Sequence, residues 1–164
     1  MTESDTEQRA RQALEAAGVT FELTRHAPVG SLAAAAAARG LDPQQVLKTL
    51  VVRRGEGDFL FVLVPGGRTI AWARLRSVLG VNRLSMPDAA VARDVTGYER
   101  GTITPFGSLV AWPVIADATI PGAGRVSVGA GGHGVAATLD AEDLLRVLGA
   151  QVADVTDPEP LPGG

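Results

Sequence analysis

Hydrophobic spacing along the chain switches between a helical and a strand period, and the switches fall at glycines and prolines. Ser4-Asp5-Thr6-Glu7 has the form of a capping box; Ala10, Leu14 and Ala17 follow at helical spacing, and Gly18 marks the stop. Residues 19–24 alternate and predict a strand, and His26-Ala27-Pro28-Val29-Gly30 a loop. Ser31 stands where it can cap a second helix through the alanines at 33–38, which Gly40 ends, and Asp42-Pro43 opens a short helical turn. Residues 47–53 predict a strand, 55–58 a hairpin turn, and 59–64, apolar on both faces, a central strand. After Pro65-Gly66-Gly67 the pattern predicts helices over 71–79 and 87–93, with a short strand at 81–85 between them. Strands follow at 109–115, 125–128 and 135–139, then a helix capped by Asp140 and ended by Gly149, a last strand at 152–155 and a frayed tail over 158–164. The order is not a regular strand–helix alternation. With no internal repeat and no linker, it predicts one α+β domain over 1–157, a mixed sheet with flanking helices.

Composition narrows the chemistry. The 164 residues carry a net charge of −3, no cysteine and two histidines. Disulfides, thiolate nucleophiles and Cys/His zinc sites are therefore excluded, and no metal or cofactor is expected. No apolar run spans a membrane, and the polar, acidic start does not resemble a signal peptide, so the expected location is the cytoplasm. Nucleotide-binding glycine fingerprints and a nucleophile elbow are absent.

Charge is unevenly spread. Residues 48–93 hold eight basic side chains against three acidic ones, whereas 140–159 hold six carboxylates and one arginine. The basic middle reads either as a footprint for an anionic partner or as a solvated face. Fourteen of the fifteen basic residues are arginine, and the single lysine, Lys48, lies in Val46-Leu47-Lys48-Thr49-Leu50-Val51-Val52. A compact amine differs from a guanidinium in hydration and pKa range, which makes Lys48 a candidate for work arginine cannot do; the alternative is an amine snorkelling at a strand end.

Two glycine segments stand out. In the stretch from Gly97-Tyr98 through Gly101-Thr102-Ile103-Thr104-Pro105-Phe106-Gly107, Gly101 permits close backbone approach to a ligand and Pro105 stiffens the far end. Such a loop can aim N–H groups at an anion or oxyanion, or simply connect a helix to a strand. The second, Gly129-Ala130-Gly131-Gly132-His133-Gly134, either walls the same pocket or forms a wide turn. His26, between a strand and a helix start, is the more placed of the two histidines, in a structural or a catalytic role.

Taken together these segments resemble the YbaK/prolyl-tRNA-synthetase-associated domain family, the free-standing aminoacyl-tRNA deacylases and inserted editing domains. The resemblance rests on Leu47-Lys48-Thr49-Leu50-Val51-Val52, Val64-Pro65-Gly66, the Gly101 to Pro105 element, Val128-Gly129-Ala130-Gly131-Gly132 and Asp143-Leu144-Leu145, in the family's order over roughly residues 7–155. It implies a partly barrel-like sheet and metal-independent hydrolysis, in trans, of the ester on a mischarged tRNA, expected here to be tRNA(Pro) carrying a small amino acid. Lys48 and Gly101 are the implied catalytic positions. His26, Ser31, Thr49, Thr102, Thr104, Pro105, Gly131 and Gly132 are the candidate substrate-binding residues. The tRNA acceptor end is the implied partner, and prolyl-tRNA synthetase a further one. Where the cysteinyl-tRNA deacylase branch carries a carboxylate this chain has Ala136, and Thr24-Arg25-His26 replaces that branch's aromatic-histidine segment. These differences motivate the alternative of a non-catalytic tRNA- or nucleotide-binding module. An aminoacyl ester is already activated, so placement and oxyanion stabilisation suffice without a strong nucleophile.

Overall fold

The computed structural model describes residues 3–160. Its order is α1 (Asp5–Ala16), β1 (Phe21–Arg25), α2 (Leu32–Arg39), a 3-10 turn (Pro43–Gln45), β2 (Leu47–Gly55), β3 (Asp58–Pro65), β4 (Arg68–Ile70), α3 (Trp72–Leu79), α4 (Ala89–Thr96), β5 (Val114–Asp117), β6 (Arg125–Gly129), β7 (Val135–Asp140), α5 (Ala141–Leu148), β8 (Gln151–Ala153) and β9 (Thr156–Pro158). The expected caps are in place. Ser4 Oγ accepts from Glu7 N, Ser31 Oγ from Ala34 N at 3.1 Å, and Asp140 from Glu142 N and Asp143 N. Among the described residues no helix is long and apolar enough to cross a membrane.

The strands form the orders β1-β7-β6, β2-β3-β5-β8 and β4-β9, with β3-β5 and β5-β8 parallel and the remaining ladders antiparallel. A parallel bridge between Val46 and Ser127 sets β6 beside β2, so the first two groups make one bent sheet that curves without closing. β3 lies inside it and alternates between two cores. Phe59, Phe61 and Leu63 join Leu14, Val51, Val128 and Leu144 on one side; Leu60, Val62 and Val64 join Val52, Ile70, Leu75 and Ile115 on the other. Burial on both faces explains its unbroken apolar run.

Several boundaries differ from the sequence expectation. The strand expected over 109–115 starts at Val114, because Pro113 cannot donate to a ladder and Leu109 and Val110 lie exposed. Residues 81–85 make only the single bridge from Ser85 to Arg53. The helix expected at 87–93 begins two residues later, because Asp88 Oδ1 accepts from Val91 N at 2.9 Å and acts as its cap. The pattern predicts no strand over 68–70 or 156–157 and a frayed tail from 158, yet β4 and β9 form a short ladder: Pro158 stands opposite Arg68, and Glu159 N donates to Gly67 O at 2.9 Å. Residues 161–164 of that expected tail lie outside the described residues.

Candidate functional site

Register places the candidate residues. Lys48 stands two residues beyond Val46 on β2, and Gly129 two beyond Ser127 on the parallel β6. Alternation puts Lys48 and Gly129 on one face, each two residues past that single bridge. Gly129 pairs with Ala136 on β7, and Ala136 with Thr24 on β1. The row Lys48–Gly129–Ala136–Thr24 therefore crosses four strands with two of the smallest side chains in its middle. Alternation carries His26 to the same face.

The first glycine loop reaches this row through its backbone. A Cβ at Gly129 would lie 2.7 Å from Ile103 O and 3.4 Å from Thr102 O, so the glycine is what lets the 101–105 segment sit over the strand. Gly129 has no positive φ, so close approach alone requires glycine there. The loop is held from several sides. Thr102 Oγ1 donates to Glu99 O at 2.7 Å, Gly131 N donates to Thr102 O at 3.1 Å, and Thr104 Oγ1 accepts from Phe106 N at 3.2 Å. Tyr98, fully buried, donates through its hydroxyl to Phe106 O at 2.7 Å. Arg9 of α1 lies 4.4 Å over the Tyr98 ring and donates to Gly107 O and Gly97 O. The Thr102 and Thr104 hydroxyls thus serve the loop's own backbone. Gly101 is exposed at φ +88°, and a Cβ there would lie 3.4 Å from the His133 ring.

Lys48 Nζ donates to Arg68 O at 3.3 Å and lies 3.6 Å from Glu159 Oε1. Its side chain keeps 44% exposure, at the rim of the second core rather than within it. Arg68 is itself held by Thr156, and its Nε lies 3.9 Å from the buried Asp117. Burial pushes the Asp117 carboxyl up, but hydrogen bonds from Thr119, Thr156 and Val155 N outweigh it and hold the group below the usual carboxylate range.

Other candidates lie apart from this row or serve packing. Thr49 points to the opposite face of β2, where its Oγ1 is buried without a partner. Pro105 lines an open groove of about 440 Å3 with Arg54, Leu60, Trp112 and Leu148. A side chain at Gly131 would collide with Thr6 O and one at Gly132 with Glu7, so these glycines let the turn pack on the start of α1. The Ser31 oxygen serves as the α2 cap. His26 N donates to Gly134 O at 2.9 Å, and its Nε2 is buried without a partner.

Half of the basic stretch, Lys48, Arg54, Arg68 and Arg74, is tied to carboxylates within the protein. Arg54 pairs with Asp58, and Arg74 with Asp154 and Asp157. Asp58 lies within the stretch itself, whereas Asp154 and Asp157 come from the acidic end of the chain, a pairing that linear charge counting could not show. Sequence reasoning also missed Arg9, the loop's anchor, and Arg39, Ser127 and Thr138, which cluster beside the row.

Residues 26–147 match the family model described as an aminoacyl-tRNA editing domain. A protein of Enterococcus faecalis (strain ATCC 700802 / V583), EbsC, named as a candidate Cys-tRNA(Pro)/Cys-tRNA(Cys) deacylase, is 24% identical over 120 residues, 73% of each chain. A crystal structure of a candidate trans-editing enzyme for prolyl tRNA synthetase superposes with TM-score 0.86 at 26% identity, covering 95% of this chain and 99% of the other. A structure from computational epitope grafting onto scaffold proteins gives TM-score 0.84 at 26% identity, over 96% and 99%.

Proposed function

Because this chain belongs to the aminoacyl-tRNA editing domain family, we propose that it is a deacylase acting in trans, in the cytoplasm, on tRNA(Pro) mischarged with a small amino acid and delivered by prolyl-tRNA synthetase. The observation that carries this reading is the row in which Lys48 and Gly129 share a face, each two residues past the Val46–Ser127 bridge, with the carbonyl of Ile103 lying over Gly129. The ester is seated at the open Lys48 end of this row, with its carbonyl oxygen toward Lys48 Nζ and the exposed backbone at Gly101. Water, or a group of the substrate, attacks the carbonyl carbon. The oxyanion forms within reach of the ammonium, and the ribose oxygen departs with a proton. Thr102 and Thr104 hold the loop. His26 and Ser31 border the entrance, while Thr49 and Pro105 support the strand and loop from behind. The close approach of the 101–105 loop over Gly129 narrows the space beside Lys48 and favours a small aminoacyl group, each extra methylene changing discrimination by about 1–3 kcal/mol.

One oxyanion donor is worth about 3 kcal/mol, roughly a hundredfold in rate. Lys48→Ala is expected to lower kcat for release from alanyl-, seryl- or cysteinyl-tRNA(Pro) by about that factor. If the native protein releases none of a full panel, or the variant is as fast, the proposal is wrong. A second reading, acceptor-end binding without turnover, is favoured by the middle and far end of the row: Gly129, Ala136 and Thr24 supply no carboxylate and no imidazole. Salt-sensitive binding of intact aminoacyl-tRNA without release would select it.

A further inference from the structure

Beside the row lies a cluster made of donors. Ser127 on β6 and Thr138 on β7 are register partners, exposed by 0% and 3%. Ser127 is on the Lys48 face, because it bridges Val46, two residues before the lysine. Arg39, in the last turn of α2, donates through Nη1 to Ser127 Oγ at 3.0 Å. Its Nε is buried without a partner, and so is Thr138 Oγ1. Among the described residues no carboxylate lies within ion-pair distance of Arg39. Burial pulls its pKa down, with no opposing charge to raise it.

A partly buried guanidinium without a counter-charge is unfavourable unless an anion completes it. Ser127 accepts from Arg39 and so keeps its own O–H proton, Thr138 keeps another, and most of the guanidinium donors remain open. Such a set matches the oxygens of a phosphate. We infer that Arg39, Ser127 and Thr138 form a phosphate subsite for the terminal nucleotide of the RNA acceptor end. This rests on the proposed function and divides its labour. Two residues along a strand is about 7 Å, and the 5′-phosphate and the ester sit on the same terminal ribose. Arg39 holds the phosphate while Lys48 faces the carbonyl. Arg39 is the one member with partial exposure, so a phosphate meets its guanidinium first, with the buried Ser127 and Thr138 hydroxyls behind it.

The test measures AMP, adenosine and inorganic phosphate binding to the full chain by calorimetry, together with salt-dependent binding of an acceptor-end RNA. AMP is expected to bind at least tenfold more tightly than adenosine. Arg39→Leu removes that preference, leaves adenosine unchanged and reduces the slope of log K against log salt by about 0.7. Thr138→Val, nearly isosteric, shifts AMP binding in the same direction. In turnover, Arg39→Leu raises KM and leaves kcat in place. Equal binding of AMP and adenosine, or an unchanged preference and salt slope in Arg39→Leu, overturns the subsite. Inorganic phosphate binding as tightly as AMP overturns its assignment to a nucleotide. Because these measurements need no turnover, a protein that discriminates AMP from adenosine but cleaves no ester refutes the hydrolase reading alone.

Discussion

Replacing Gly129 by alanine adds one methyl group at the point where β6 meets the 101–105 loop. The new carbon would stand 2.7 Å from Ile103 O, whereas ordinary C···O contacts are about 3.3–3.6 Å. Strand or loop must therefore yield by roughly 0.6 Å or more. The loop resists: Gly131 N, the Tyr98 hydroxyl and the Arg9 guanidinium all hold its backbone. Overpacking of this kind costs about 1–3 kcal/mol, against which a less flexible unfolded chain returns about 0.4–1 kcal/mol. For a domain of this size the upper part of that range is a fall in Tm of roughly 4–10 °C. Because the displaced segment lies over the Lys48 row, release of the aminoacyl group is expected to slow by about ten- to a hundredfold. Thermal unfolding and single-turnover release measure both effects. Gly30→Ala is the control: it has no positive φ and nothing within 4 Å of the added carbon, so its stability should stay within about 0.5 kcal/mol of the native value. If the two variants cannot be told apart in Tm and rate, the close approach at Gly129 does not shape the site.

Asp117→Asn should destabilise by about 1–3 kcal/mol, because an amide cannot accept at both ends from Thr119 and from Val155 N. The native carboxyl sits below its ordinary pKa, so the unfolded chain binds its proton first as pH falls. Its stabilisation is full above the ordinary value of about 3.9 and disappears as pH drops through the folded value. Unfolding titrations should find that part of the acid sensitivity missing in the variant; an unchanged profile would exclude this carboxylate as its source. Tyr98→Phe strands the buried Phe106 carbonyl and should lower stability by about 1–2 kcal/mol, measured by denaturant midpoint. A midpoint equal to that of the native protein would mean that the hydroxyl does not hold the loop.

Local rules carried the helices far. Ser4, Ser31 and Asp140 each cap the helix expected behind them, and β3 reads as central because both faces are buried. What local rules missed was pairing across distance. β4 and β9 are three residues each and too short for a period, yet their ladder brings Arg68 and Glu159 to the lysine. Lys48 stood out because every other basic residue is arginine, and the 97–107 loop because of its glycines. Arg39 was invisible for the opposite reason: one arginine among fourteen, at the end of an alanine helix, looks like a solvated helix terminus. Its neighbours Ser127 and Thr138 come from strands nearly a hundred residues later. The glycines at 131 and 132 were legible as special but not in purpose, since the residues they make room for, Thr6 and Glu7, lie at the other end of the sequence.

Because β9 pairs with β4, the carboxyl-terminal part of the protein ends its described path next to Lys48 rather than away from it. Carboxylates added close behind Glu159, as an acidic purification handle adds them, would compete with Glu159 for the lysine ammonium. An amino-terminal handle leaves from the start of α1, near the second glycine turn, without adding to the surroundings of Glu159. The choice of which end to extend is therefore part of any measurement of what this protein does.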